Sequence, residues 1–552
     1  MTDSLPPPDP RPDGLEPDPP SPHAAGVIAI GTGCVAAALY VASLLPTVGF
    51  IDAPRYAAFV ARMHLGVASI EHPLFVLLAT PFTWLGIGDI AYRVNLASAA
   101  FGAMAVGVLA ALLFRTTASH YAAWIGALAY ATSYDHWWLS TETEVYTLQV
   151  LLLFGMLFLL IGRPMGRSPA PGRAAALLGL AVVNHQAALL WAFPALLYTA
   201  SVVPREDRAR ALGRGCLGFF VGVAPYIALV GLRAHTDGWD VTWAAMTGGE
   251  FQSSFLAPIG FAGYARVVAF LVVITGYQFY PIHTAAWIGG FAHLHRADPR
   301  RSFLLIGIAA LNAATVVLYD VPDRIYFYLP TFAILAIFLG EGLAAVDLGS
   351  RGWPNRRGRW FVLALLTLPV GGKIVHYQLA DDFIGTVMGG EERVFDAIRE
   401  RASGRFPILV PHIPGRNDLS YYTNPDKSDV IAARHYEAVL DAMPVDALLL
   451  DDWYHGYAIM ADYYQGTLGL RPDVEVLRWF ERWGGTPEER DEIATRVISE
   501  ARNGRPVFLA TSEYPSSTLI ARLAAADCRC DSFGELEALR RVDCVAEGPD
   551  LR

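Results

Sequence analysis

Residues 50–75, FIDAPRYAAFVARMHLGVASIEHPLF, set Asp52, Arg55, Arg62, His64, Glu71 and His72 between two strongly apolar segments. Further along, Glu142, Glu144 and Tyr146 occur in TETEVY, Asn184 and His185 in NHQ, His283 follows, and Asp323 and Arg324 stand in YDVPDR. Ionisable groups close to a bilayer are costly unless they face a protein interior or a water-filled cavity, so they point to function by default. Their types suit a definite chemistry. A positioned carboxylate such as Asp52 accepts a proton from an attacking hydroxyl. Arginines such as Arg55 and Arg62, with Arg93 and Arg324 as weaker candidates, stabilise charge on a departing phosphate. Asp52, Glu71 and Glu144 are also of the type that holds a divalent metal, and the same chemistry runs without one, so the metal is left open. Each residue alone has a bland explanation: a solvated loop charge for Glu71 or Asp323, a satisfied polar group for His185, a helix-start carboxylate for Glu142 or Glu144.

The elements that must position these groups are membrane helices. Of the 552 residues 54% are hydrophobic and 17% charged, with a mean hydropathy of +0.35, a balance that implies a polytopic membrane protein. The net charge of -10 comes without a basic stripe, which excludes a nucleic-acid partner. Residues 1–24 are proline-rich and acidic, the composition of a disordered tail, with no basic n-region of a signal peptide. The first span follows, without a charged residue for over twenty positions. Inside it, Gly31-Thr32-Gly33-Cys34-Val35-Ala36 matches a dinucleotide fingerprint, with Asp52 at about the expected distance. The context is one uninterrupted apolar run with no strand and no turn before Pro46, so the small residues are read as helix-packing positions.

Apolar stretches near 74–88, 92–114, 119–139, 144–162, 174–203, 212–232, 264–292, 302–319, 326–346 and 358–375 raise the total to about 10–12 spans. Lys373 and Lys427 are the only lysines, so arginine sets orientation. Loops carrying Arg163, Arg167 and Arg173, then Arg205 to Arg214, Arg296 to Arg301, and Arg351 to Arg359 are assigned to the cytoplasm. Segment 174–203 then becomes a hairpin turning outside near Asn184–Gln186, and the last span delivers the C-terminal region outside. IEHP and TETEVY both facing out requires an even number of crossings over 74–143, where three apolar stretches occur. Either one does not cross, or two are short coaxial pieces.

From about 376 the composition is that of a soluble domain, in which PILV, DALLLDD, VEVLRW and RPVFLAT alternate with helical stretches such as 486–503, the pattern of a small α/β unit. Asp451 and Asp452 in LDDW resemble a sugar-nucleotide metal pair, but carboxylates capping the next helix are the preferred reading. Cys528, Cys530 and Cys544 lack zinc-like spacing; a disulfide from Cys544 to either neighbour, or free thiols, both fit.

A carboxylate base, arginines and an opening to lipid suit transfer of a sugar from a polyprenyl-phosphate carrier, whose phosphate is already the leaving group. A single catalytic carboxylate on that path implies inversion. The stretches FIDAPRY, IEHPLF, YRVNLASA, HWWLSTETEVYTLQ, VVNHQ, YDVPDRIYFYLP and YYQGTLGLRPDV occur in this order. In this the chain resembles the GT-C superfamily of membrane glycosyltransferases, which includes protein O-mannosyltransferases and the lipid A aminoarabinose transferase. It most resembles a family long described as a domain of unknown function that includes a vertebrate transmembrane O-mannosyltransferase. The resemblance covers about 47–480. It implies a GT-C-like membrane domain over 25–375 with an outer active-site loop at 47–73, and an extracytoplasmic α/β domain over 376–552. It implies Asp52 as base, His72 and Glu144 beside it as catalytic residues, and Tyr146, Asn184 and His185 as binding residues. Arg55, Arg62, Glu71, Asp323 and Arg324 complete the candidate substrate site from charge and position. Ala53-Pro54-Arg55 and Leu74-Phe75 depart from the family's usual residues, which leaves the identity of the acceptor and the sugar open. The expected partners are a polyprenyl-phosphate sugar such as mannose, membrane lipid, and an extracytoplasmic protein, lipid or glycan acceptor, at the inner or plasma membrane. A transporter or flippase, which would show internal repeats, and a non-catalytic scaffold displaying its C-terminal domain are the rival readings.

Overall fold

A computed structural model describes residues 21–50, 52–162, 170–248, 255–256, 260–319, 321, 324–347, 356–387, 424–451, 456–479, 487–510, 517–533 and 539–545. The N-terminal part is helical: α1 (Pro22–Ala42), α2 (Ala53–Arg62), α3 (Pro73–Ala79), α4 (Ile90–Thr117), α5 (His120–Ala131), α6 (Tyr134–Thr141), α7 (Tyr146–Ile161), α8 (Pro171–Asn184) and α9 (Ala192–Val202). It continues through α10 (Arg208–Asp237), α11 (Trp239–Met246), α12 (Gly260–Gln278), α13 (Pro281–Ala297), α14 (Pro299–Val317), α15 (Arg324–Phe327), α16 (Leu329–Asp347) and α17 (Arg356–Val387). Among the described residues seven helices are long and apolar enough to cross a membrane, and three shorter apolar segments, Pro73–Trp84, Tyr146–Ile161 and Gln186–Val202, accompany them. The chain is thus a multi-pass integral membrane protein, as its composition requires.

Over 74–143 the apolar stretches differ in length. Pro73–Trp84 rises about 18 Å at 1.5 Å per residue, short of a hydrocarbon core of about 30 Å. Helix α4 is long and apolar enough to cross, and the third stretch is two shorter helices, α5 and α6, separated at Thr132–Ser133. The dinucleotide-like residues lie inside the unbroken α1, where small side chains allow close packing. A Cβ on Gly107 of α4 would come 2.7 Å from the Ala29 carbonyl of α1. Helices α13 and α16 touch in the same way, since a Cβ on Gly290 would fall 1.9 Å from the Phe338 carbonyl oxygen.

The C-terminal part contains α18 (Ile431–Ala442), β1 (Leu448–Asp451), α19 (Tyr457–Tyr464), β2 (Glu475–Arg478), α20 (Pro487–Arg502), β3 (Val507–Ala510), α21 (Ser517–Ala525), β4 (Cys528–Ser532) and β5 (Leu539–Cys544). The sheet order is β2-β1-β3-β5-β4, parallel through β2, β1 and β3 and antiparallel through β5 and β4. Three expected strands and the 486–503 helix are present; PILV lies outside the described residues, as do residues 1–20 of the expected tail. Asp451 accepts from the Ala458 N–H at the start of α19 (2.8 Å), the capping role; Asp452 lies outside the described residues. Cys528 and Cys544, opposed on β4 and β5, form a disulfide, and Cys530 is free. This domain shares a core with the membrane part: Val48, Phe50, Ala57 and Ala91 pack with Tyr436, Tyr457, Tyr463 and Tyr464.

Candidate active site

The loop after α1 is shaped by three local signals. Asp52 sits at the N-cap position of α2 with Pro54 in the first turn, where the missing N–H costs nothing. Met63, at φ 49°, ends the helix in the left-handed conformation. The helix thus covers 53–62, and most of its residues are buried. Residues 64–71 then close on Glu71, which accepts from the Ala68 N–H (2.5 Å) and meets His64 Nε2 (2.9 Å) and Arg233 Nη1 (3.3 Å). Gly66 leaves the space for that carboxylate, because a Cβ there would lie 2.0 Å from Glu71 Oε2.

His72 is held at φ 40° immediately before Pro73. This is an uncommon backbone for a residue with a side chain, and the surrounding contacts must impose it. Its Nδ1 donates to the Asn184 carbonyl (2.7 Å). The Asn184 amide donates in turn to the Val145 carbonyl (3.1 Å) and Gln149 Oε1 (2.9 Å). The HP, EVY and NH segments, far apart in sequence, are therefore one buried hydrogen-bonded unit. The rings of His72 and His185 stack with centroids 5.2 Å apart, with Tyr56 edge-on to His72 at 5.4 Å and Tyr146 at 5.6 Å from His185. A carbonyl only accepts, so His72 carries its proton on Nδ1. The Ala187 N–H donates to His185 Nδ1 (3.3 Å), so His185 carries its proton on Nε2. Burial pushes His72 down to about 4 and His185 down to about 3, which keeps both rings neutral.

Asp52, Tyr56, His72, Tyr146 and His185 line one cavity of about 640 Å³, closed on other sides by apolar residues such as Leu190, Trp191, Val316 and Phe327. Gln149, Gln186 and Asn312 add polar groups to its wall. Asp52 is 26% exposed, with Arg55 Nη1 3.8 Å from its carboxylate. Burial raises its proton affinity above the ordinary carboxylate value, and Arg55 and Arg478 oppose that rise. Arg55 is itself buried, lies 3.6 Å from Asp462 of α19, and its Nη2 has no hydrogen-bond partner among the described residues.

The other candidate residues take different places. Arg62 donates to the Asp462 carbonyl (3.0 Å) and Glu71 serves the loop, so neither lines the cavity. Asn184 acts from behind the wall. Arg93 binds the carbonyls of Thr83, Ile87 and Gly88, the work of closing a turn. His283 Nε2 donates to the Leu366 carbonyl (2.8 Å) between helices. Glu144 is buried with its backbone tied to Ser98 Oγ (3.0 and 3.1 Å), and Arg324 is buried on α15; neither is on the cavity wall. Asp323 lies outside the described residues. Glu142 takes the indole N–H of Trp138, over whose ring Lys427 Nζ sits at 3.9 Å. Burial holds Glu142 at about 7 despite the Lys427 charge. No three His, Cys, Asp or Glu side chains gather as metal ligands among the described residues. Tyr56, Gln149, Gln186 and Asn312 had not been picked out from sequence. Gln149 and Asn312, amides inside apolar stretches, carried the usable signal.

Two solved structures share this architecture. ArnT from Cupriavidus metallidurans bound to undecaprenyl phosphate superposes with a TM-score of 0.54 at 16% identity, covering 96% of this chain and 100% of that one. The apo state of the same protein gives 0.54 at 14%, covering 95% and 99%. The chain has the GT-C fold. Within that GT-C fold, residues 58–207 match the family model described as the Protein O-mannosyl-transferase TMEM260 N-terminal domain. Protein O-mannosyl-transferase TMEM260 of Mus musculus is 32% identical over 180 residues, 31% of this chain. The matched region spans 25% of that relative's length. The residues matched by the family model include His72, Glu144, Tyr146, Asn184 and His185, while Asp52 precedes them. The expected GT-C resemblance is borne out.

Proposed function

We propose that the chain is an inverting glycosyltransferase that moves a sugar, mannose in the reading favoured by its relative, from a polyprenyl-phosphate donor to an extracytoplasmic hydroxyl. The observation that carries the proposal is the placement of Asp52 on the wall of a large, mostly apolar cavity beside two neutral histidines, within a GT-C fold. Asp52 takes the proton of the acceptor hydroxyl as its oxygen attacks the anomeric carbon. The bond from that carbon to the phosphate oxygen breaks with its electron pair, and the lipid phosphate departs. Partial burial makes Asp52 a stronger base than an exposed carboxylate, and the Arg55 charge beside it opposes that rise. His185 Nε2–H supplies a donor for the phosphate, in surroundings dry enough to strengthen it, while Arg55, buried off the cavity wall, acts through its pairing with Asp52. His72 and Tyr146 form the wall against which the sugar rests, and Asn184 keeps that wall in register. A protein Ser or Thr is the acceptor suggested by the O-mannosyl-transferase relative. The Cys528–Cys544 disulfide, a bond that persists in oxidising compartments, supports an extracytoplasmic C-terminal domain.

The test is incubation of purified full-length protein with undecaprenyl-phosphate mannose, glucose or arabinose and a membrane-protein acceptor fraction. Asp52→Asn should lower transfer by about 10²–10⁴-fold at unchanged abundance, the usual contribution of a general base. Transfer at wild-type rate by that variant, or no donor consumed by the wild type, would refute the proposal.

A further inference from the structure

Helix α2 carries Asp52 and Arg55, yet the groups that balance their charges come from the C-terminal domain. Arg55 stands between two carboxylates, 3.8 Å from Asp52 and 3.6 Å from Asp462. Asp462 is held in turn by Arg478 Nη2 at 3.1 Å, and Arg478 also donates to the Ala458 carbonyl of α19 (3.4 Å). A second tie, from Arg62 Nη2 to the Asp462 carbonyl (3.0 Å), fixes α19 against α2. The contact is no loose surface touch, because Phe50 and Ala57 share a buried core with Tyr457, Tyr463 and Tyr464. The row Asp52, Arg55, Asp462, Arg478 alternates in sign and runs from the cavity wall into the α/β domain.

We infer that Asp462 and Arg478 are positioning residues for Asp52, so that the C-terminal domain is a fixed part of the catalytic centre and not a separate module tethered beside it. The inference rests on the reading of Asp52 as base. Its physical basis is competition. Asp462 draws Arg55 away from a close pair with Asp52, leaving a separation of 3.8 Å, longer than a hydrogen bond. Without Asp462, Arg55 closes on Asp52 and makes it a weaker base. Without Arg478, Asp462 faces Asp52 with its full charge and pulls harder on Arg55, which strengthens Asp52 as a base. The other titratable groups on the same cavity, His72, His185, Tyr56 and Tyr146, come from the membrane helices and loops and are unchanged by either substitution.

The experiment reads the protonation of Asp52 directly and needs no donor. Full-length protein in detergent is treated with a carbodiimide, which modifies protonated carboxyls, over a pH series, and labelling of the Asp52 peptide is quantified by mass spectrometry. Asp462→Asn should move the labelling midpoint down, and Arg478→Gln should move it up, each by about half a unit to one unit. Arg478→Lys should restore the wild-type midpoint. Size-exclusion profiles check folding; if Asp462→Asn is misfolded, the opposite shift in Arg478→Gln and its rescue by lysine still decide the matter. Midpoints equal to wild type in the folded variants, or shifts of the same sign, overturn the inference. An Asp52→Asn variant that still transfers sugar would instead remove the base assignment, so the two failures are distinct.

Discussion

The stacked histidines yield a stability prediction of calculable size. His72 is 5% exposed and its ring is held down to about 4, against an ordinary value near 6.5. Between those values the unfolded chain binds a proton that the folded chain refuses. Stability therefore falls as pH falls through 6.5, and the loss is complete near pH 4. A difference of about 2.5 units at about 1.4 kcal/mol each makes the penalty on the order of 3 kcal/mol. His185, held lower still and 5.2 Å away, adds repulsion once both rings charge. The chosen variant is His72→Gln, whose amide can keep donating to the Asn184 carbonyl but does not titrate. Thermal midpoints of wild type and variant are followed by intrinsic fluorescence in one detergent at constant salt from pH 7.5 to 4. The wild type should lose several degrees more than the variant over that interval, most of it between pH 6.5 and 4. Parallel curves would show that His72 is not held neutral by burial, and the reasoning would fail.

Other perturbations test the framework around the cavity. Asn184→Ala removes two donated hydrogen bonds, leaving Gln149 Oε1 without its donor and the Val145 carbonyl with only the Gln149 N–H, so thermal stability should drop by about 2 kcal/mol, with transfer reduced as the HP and EVY segments lose their tie. Gly66→Ala places a methyl 2.0 Å from the Glu71 carboxylate and should open the 64–71 loop, detected as new protease cleavage there while α/β-domain fragments stay intact. Cys528→Ser frees a loop with a sequence separation of 16 residues and should cost about 3 kcal/mol in that domain, read as lowered urea resistance of β4 and β5 by hydrogen exchange. An unchanged exchange pattern would count against the disulfide.

How much of the site was legible depended on how local each signal was. Asp52 with Pro54, and His72 with Pro73, stand at helix starts, where capping and proline preferences act within one turn. The end of α2 at Met63 has no such local signal, because a methionine gives no preference for the left-handed conformation it adopts there. Glu71 and Arg62 looked equivalent to Asp52 and Arg55 by charge and location. Only the fold shows that Glu71 is engaged by His64, Ala68 and Arg233, and that Arg62 leans toward α19. Tyr56 could not be singled out, since an aromatic on a helix gives no local sign of which way it faces.

By itself the sequence determined the membrane class, the sheet-bearing C-terminal region, and an ordered set of motifs around ionisable residues, because apolar content, periodicity and capping are properties of neighbouring residues. Tertiary structure decided which polar groups share a cavity. It brought Asn184 under His72 and His185 against His72, set apart the carboxylates that line the cavity from those that brace a loop, and placed Asp462 and Arg478 within reach of α2. The cause is that burial and pairing of a charge depend on residues hundreds of positions away, whose approach is set by packing and not by local pattern.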